Sequence, residues 1–198
     1  MAEGDKQWKR KTQNMYRENQ YDPEYLALIA EEIRKRVIQI IFQAKAGHTG
    51  GSLSSVDVLT ALYFKVMNYN PAEHGWSERD RFIMSKGHSV ESLYCVLARA
   101  GYFSDDTLET YGSFKSMLAG HPTRKVPGVE VNSGALGHGL PVGTGMAIAA
   151  KMDGKKYRTF VLMGDGEQGE GSIYEAAMAA SHYKLDNLIA IIDRNTLQ

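Results

Sequence analysis

Three things are scarce in this 198-residue chain, and each scarcity excludes a class of protein. Cysteine is nearly absent. Cys95 is the single one and sits in the apolar helical pattern from Val90 to Ala100, which reads as a buried, reduced thiol rather than a disulfide partner or a nucleophile. An excess of either charge is also missing: 23 basic side chains offset 23 acidic ones, so no broad field would draw the chain to nucleic acid or to an acidic membrane. Any anion must be held by local groups. Finally, no apolar run approaches the roughly twenty residues of a spanning helix, and the polar N-terminus lacks a signal-peptide core. The expectation is a soluble, cytoplasmic protein with no nucleic-acid or membrane partner.

What the chain does contain is 43% hydrophobic residues, enough to bury the core of one large domain or of part of a larger one. Residues 1–21 mix charge, amide and aromatic side chains without a period, which predicts an arm. From residue 22 onward the pattern is helical and stranded by turns. Asp22-Pro23 predicts a helix start, followed by Leu26, Ile29, Ile33, Val37, Ile40 and Ala44 at helical spacing. A second helix is predicted from near Ser54, with Asp57 placed for a capping box. Then come a short strand from Arg81 to Ser85, a helix from Ser89 to Ala100 and a small-residue helix from Gly137 to Met152. A strand from Tyr157 to Met163, a helix from Ser172 to His182 and a strand from Leu188 to Asp193 complete the pattern. Such alternation predicts a three-layer α/β/α domain with a mainly parallel sheet.

The last strand, helix and strand carry the most informative residues. Asp165 and Asn195 stand thirty positions apart, each just beyond an apolar run, and Gly164 and Gly166 flank the aspartate. A helical crossover makes the two strands parallel, so both residues should emerge side by side at the carboxyl edge of the sheet, where α/β folds bind ligands. One anionic and one neutral oxygen ligand suit a hard cation such as Mg²⁺ that also takes substrate phosphates. Two other readings of the same residues stay open. Gly164-x-Gly166-x-x-Gly169, with Asp193 closing the next strand, satisfies a dinucleotide fingerprint, although Asp165, Glu167 and Glu170 would then set carboxylates against a pyrophosphate. Alternatively Asp165 merely caps a tight turn.

Glycine-rich turns recur at Gly47 to Gly51, at Gly87 and from Gly134 to Gly145, where backbone N–H groups can approach an anion. His48, His88 and His121 each follow a glycine, a setting that suits an imidazole aimed from a loop at a ligand, and His138 lies in the third turn. His74 and His182 lack such a setting and read as structural.

Taken together, Gly47-His48-Thr49-Gly50-Gly51, Ser85-Lys86-Gly87-His88, Gly120-His121-Pro122, Pro127-Gly128-Val129-Glu130, Ser133 to Gly139 and Gly164-Asp165-Gly166 through Asn195 resemble the transketolase family, in its order and approximate spacing, from about Pro23 to Gln198. The resemblance implies thiamine diphosphate and Mg²⁺ as cofactors and transfer of a two-carbon ketol unit between sugar phosphates. It implies that Asp165 and Asn195 side chains and the Leu197 carbonyl bind the metal, that Gly166 and His88 contact the diphosphate, and that Gly134 and Leu136 line the cofactor pocket. His48 and His121 would face the sugar and assist proton transfer, and Glu170 would join an acidic network coupling paired sites.

The family's pyrimidine-binding domain is not represented in this chain, and the sequence stops three residues after Asn195. The expectation is therefore an incomplete diphosphate-binding domain over 22–198, as the amino-terminal piece of a split transketolase or a shortened copy of one. His138, Gly137 and the short spacing of the segments lean toward the split type. It would work with a partner carrying the pyrimidine-binding domain, in a heterotetramer built on a two-fold dimer. A deoxyxylulose-phosphate synthase-like enzyme and a non-catalytic cofactor-binding fragment are the alternatives.

Overall fold

The computed structural model describes residues 22–195, so the predicted arm and Leu197 lie outside the described residues. Helix α1 spans Pro23–Ala44. Its first turn is capped as the sequence predicts: Asp22 Oδ1 accepts the Glu24 N–H at 2.9 Å, and Pro23 occupies a position whose missing N–H costs nothing. Ile29, Ile33, Val37 and Ile40 form its buried stripe, and Lys45, in the left-handed conformation at φ 52°, ends it.

Helix α2 spans Thr49–Ala61, starting five residues before the predicted Ser54. Gly50 and Gly51 made that stretch look like a loop. In a first turn, however, the N–H groups lack intrahelical partners anyway, and later residues supply the packing. Asp57, predicted as part of a capping box, instead lies mid-helix and pairs with Arg34. A π turn, Leu62–Val66, follows.

Strand β1 is Arg81–Met84, helix α3 Val90–Ala100, helix α4 Gly139–Met152, strand β2 Thr159–Gly164, helix α5 Gly171–His182 and strand β3 Leu188–Asp193. The three strands form one parallel sheet in the order β1-β2-β3. Side chains alternate across it. Phe82, Met84, Phe160 and Leu162 face α1, α2 and α3, whereas Ile83, Val161 and Met163 face α4 and α5. The expected three layers are present, and β2 is buried along nearly its whole length, as a central parallel strand should be. Gly143 explains the small-residue face predicted for α4, since a Cβ there would stand 2.6 Å from Val161 Cγ2. Among the described residues no helix is long and apolar enough to cross a membrane.

Strand β3 is covered unevenly: Ile189 and Ile191 pack against the first core while Ile192 is 52% exposed. Truncating Leu162 to Ala should therefore cost about 2–5 kcal/mol, and truncating Ile192 less than about 1 kcal/mol, in chemical denaturation of the chain. Equal losses would contradict the assigned layers.

Candidate functional site

The register of β2 and β3 sets Gly164 beside Asp193, so the two chains leave the sheet at the same level. Just beyond, Asp165 N donates to the Asp193 carbonyl at 3.2 Å. The Asp165 carboxylate then spans both strand tips. Its Oδ1 accepts the Gly166 N–H at 3.1 Å and its Oδ2 accepts the Asn195 N–H at 3.0 Å. The structure thus brings together the two residues that the spacing placed side by side. Gly166, expected at a diphosphate, has its N–H turned to Asp165, so a phosphate contact there must share or replace that bond.

Two neighbouring acids do something other than face a ligand. Glu167, 1% exposed, accepts Ser85 Oγ at 2.7 Å and the N–H groups of Gly137 and Gly164, each at 2.8 Å. It ties three glycine-bearing loops to one another and is not a carboxylate set against a pyrophosphate. Asp193, the acid a dinucleotide fingerprint would aim at a ribose, is paired with Lys86 and accepts Ser54 Oγ at 2.6 Å. Burial disfavours its charged form, but Lys86 and Ser54 outweigh that and hold its carboxyl below the usual range. Lys86 Nζ also reaches the Gly51 carbonyl at 3.1 Å, which draws the start of α2 to the sheet edge. With Asp193 committed, the dinucleotide reading loses its ribose ligand.

Three of the four loop histidines, His48, His88 and His121, converge. Ring centroids of His48 and His88 are 5.5 Å apart and those of His48 and His121 are 6.3 Å apart. Glycines make this approach possible. Gly134, at φ 134°, lies against the His121 ring so closely that a Cβ would fall 2.6 Å from its Cδ2, and a Cβ on Gly87 would meet Gly134 N at 2.7 Å. His138 lies with Leu136, its Nδ1 being 3.1 Å from the Leu136 carbonyl. Leu136 itself is 36% exposed, and Glu170 packs on Gly137, whose absent Cβ would stand 2.5 Å from the Glu170 Cβ. His74 stacks on Tyr102 and His182 meets Tyr183 edge-on, in keeping with structural roles.

Sequence reasoning passed over Glu91, Lys86 and the tie made by Glu167. Glu91 is the second residue of the largely apolar α3, and nothing in the local pattern names its distant partners. The Pro127 to Glu130 segment contributes to packing, with the Glu130 carboxylate forked onto Arg79.

Chemically, the edge offers hard oxygen donors at Asp165 and Asn195, and glycine-rich turns with three imidazoles close by. That donor set fits a hard divalent cation bridged to phosphate oxygens. Among the described residues no group of three or more His, Cys, Asp or Glu could hold a metal by itself, so a cation here would rely on amide or carbonyl oxygen and on its phosphate partner.

Residues 26–198 match the family model described as transketolase, thiamine diphosphate binding domain. An apulose-4-phosphate transketolase subunit from Phocaeicola vulgatus is 62% identical over 175 residues, covering 88% of this chain and 62% of that protein. Its namesake from Actinobacillus succinogenes is 54% identical over 171 residues, covering 85% of this chain and 62% of the relative. The chain thus spans less than two thirds of these relatives. Among solved structures, transketolase from Campylobacter jejuni superposes with a TM-score of 0.86 at 33% identity, over 90% of this chain and 29% of that one. The Leishmania mexicana enzyme gives 0.81 at 36%, over 87% and 28%.

His88 carries the clearest electrostatic signature of the trio. Burial, then the charge of Lys86, then His48 and His121 push its pKa below the ordinary 6.5, with Glu167 opposing. An unfolded chain therefore binds a proton at this residue before the folded one does. The associated stability is complete above pH about 6.5 and drains as pH falls through the lowered value. In an NMR titration of the imidazoles, His88 should turn over below 6.5, and His88→Gln should flatten the stability profile in that window. A His88 midpoint at or above the ordinary value would contradict the electrostatics.

Proposed function

Because the chain belongs to the transketolase family through its thiamine diphosphate binding domain, we propose that it is the cofactor-diphosphate half of a cytoplasmic transketolase built from two different chains, with residues 22–198 as that domain. The reading rests most on Asp165, which reaches across the β2 and β3 tips to the backbone of Asn195. The side chains of these two residues and the Leu197 carbonyl would hold Mg²⁺. His88 and the Gly166 backbone would hold the diphosphate, neutral imidazole and amide N–H both being donors suited to phosphate oxygen. Gly134 and Leu136 would line the pocket, and Glu170 would enter an acidic network between paired sites.

When bound, thiamine diphosphate supplies the carbon nucleophile and electron sink that ketol transfer requires. The protein's own contribution is orientation and proton movement. His48 and His121, on facing loops, would hydrogen-bond the sugar hydroxyls and take up or return a hydroxyl proton, a task for which an imidazole, able both to donate and to accept, is suited. Glycine backbones let both loops close on the sugar without side-chain bulk.

The partner would be a second chain carrying a pyrimidine-binding domain, the pair assembling into a heterotetramer about a two-fold axis. Relatives that are themselves named as transketolase subunits support that reading, and their names make apulose 4-phosphate the first ketose phosphate to test as donor. A non-catalytic cofactor-binding fragment would bind without turnover in any pairing.

In calorimetry of the assembled enzyme, Asp165→Ala should abolish Mg²⁺-dependent thiamine diphosphate binding while the chain stays folded. Unchanged affinity would refute the metal assignment. His121→Ala should lower turnover by about 10²-fold or more with far less effect on cofactor affinity. Equal losses in both would instead make His121 a cofactor ligand.

A further inference from the structure

One face of α3 governs where two of the three clustered histidines sit. Glu91 and Tyr94 lie three residues apart and so project from the same side of the helix. Both are fully buried. Glu91 Oε1 accepts the backbone N–H of His48 at 3.1 Å and the Tyr111 hydroxyl at 2.6 Å, while Oε2 accepts Ser52 Oγ at 2.6 Å. The Tyr94 hydroxyl is shared between the carbonyls of Ala119 and His121, at 3.0 and 3.1 Å. His88 belongs to the short turn, Gly87–Ser89, that leads directly into the helix. A single helix thus ties the backbones of His48 and His121 and adjoins the turn of His88.

We propose that Glu91 and Tyr94 are positioning residues, fixing His48 and His121 through their backbones for the sugar-facing roles given above; the inference rests on that functional reading. Both contacts are made to main-chain atoms, so neither consumes a ring nitrogen. Each imidazole is located yet keeps its full capacity to donate and accept toward a hydroxyl.

The surroundings argue against mere core filling. Val90, Leu93, Val96, Leu97 and Ala98 of the same helix are buried and apolar, and a carboxylate among them is costlier to bury than a leucine unless its acceptors are used. Glu91 uses both oxygens. Gly47 accommodates it: at φ 144° a Cβ would stand 2.5 Å from Glu91 Oε1, so the loop before His48 is shaped around the carboxylate. Tyr111 closes the far side, its ring 6.2 Å from that of Tyr94 in an edge contact. His48 stands just ahead of α2 behind a single glycine, Gly47, and His121 lies in a loop between irregular segments. Neither would hold its place to a fraction of an ångström without such ties, and a misplacement of about 1 Å can cost about 10²-fold in rate.

The test uses the full chain assembled with its partner, wild type against Tyr94→Phe and Glu91→Gln. Each variant should lower kcat/KM for the ketose phosphate by about ten- to a hundredfold, with thiamine diphosphate affinity within about twofold of wild type. In NMR of the chain labelled at histidine, Tyr94→Phe should move the His121 ring signals and Glu91→Gln those of His48, leaving His88 in place. Ring signals unmoved beside a lowered thermal midpoint would reduce both residues to core packing and overturn the proposal. A fall in cofactor affinity parallel to that in kcat/KM would overturn it too. If Glu91→Gln fails to fold, Tyr94→Phe, which deletes one oxygen, decides. A wild-type pair without ketol transfer would count against the transketolase reading, and the ring signals would then decide the positioning claim alone.

Discussion

Parallel pairing of β2 with β3 is the constraint on which the rest of the site depends. A helical crossover returns the chain in the same direction, and the register that sets Gly164 beside Asp193 delivers Asp165 and Asn195 to one edge. A slip of one residue would exchange the faces of every side chain in β2 and break both cores. The proposed metal site at the edge is therefore guarded by apolar packing below it. Val161 and Met163 on one face and Phe160 and Leu162 on the other hold the strand in place, and the polar residues above inherit that precision.

Glycine-rich loops let backbones approach a ligand closely but hold little shape of their own. Here carboxylates provide the shape, Glu91 and Glu167 buried and Asp193 partly so. Glu167 ties the turns at Ser85, Gly137 and Gly164, Asp193 draws in Lys86 and Ser54, and Glu91 anchors the turn before His48. Glu167 and Glu91 accept buried hydroxyls, from Ser85 and Ser52, and an unmet buried donor costs about 1–3 kcal/mol. The acids that looked in the sequence like candidate ligands divide accordingly. Asp165 stands at the strand tips, while Glu167 and Asp193 are committed to loop-to-loop contacts.

Much of this was legible from spacing. The strand, helix and strand that carry Asp165 and Asn195 were bounded to within about two residues, and the glycine-histidine pairs marked loops that do converge. The cap at Asp22-Pro23 was readable because its signal is local. The start of α2 was not, because two glycines in a first turn look like a loop until tertiary packing is known. Glu91, Lys86 and Tyr94 were invisible for a different reason. Their partners lie 43, 107 and 27 residues away along the chain, and no periodicity records a contact made across the fold.

A single divalent cation between Asp165 and Asn195 is the central claim, and locating that ion is its most direct test. Crystals of the assembled enzyme grown with thiamine diphosphate and Mn²⁺ in place of Mg²⁺ would reveal the metal by anomalous scattering. One peak flanked by the Asp165 carboxylate and the Asn195 side-chain oxygen, beside the diphosphate, is the expected result. A cofactor bound with its metal held by other residues would contradict it.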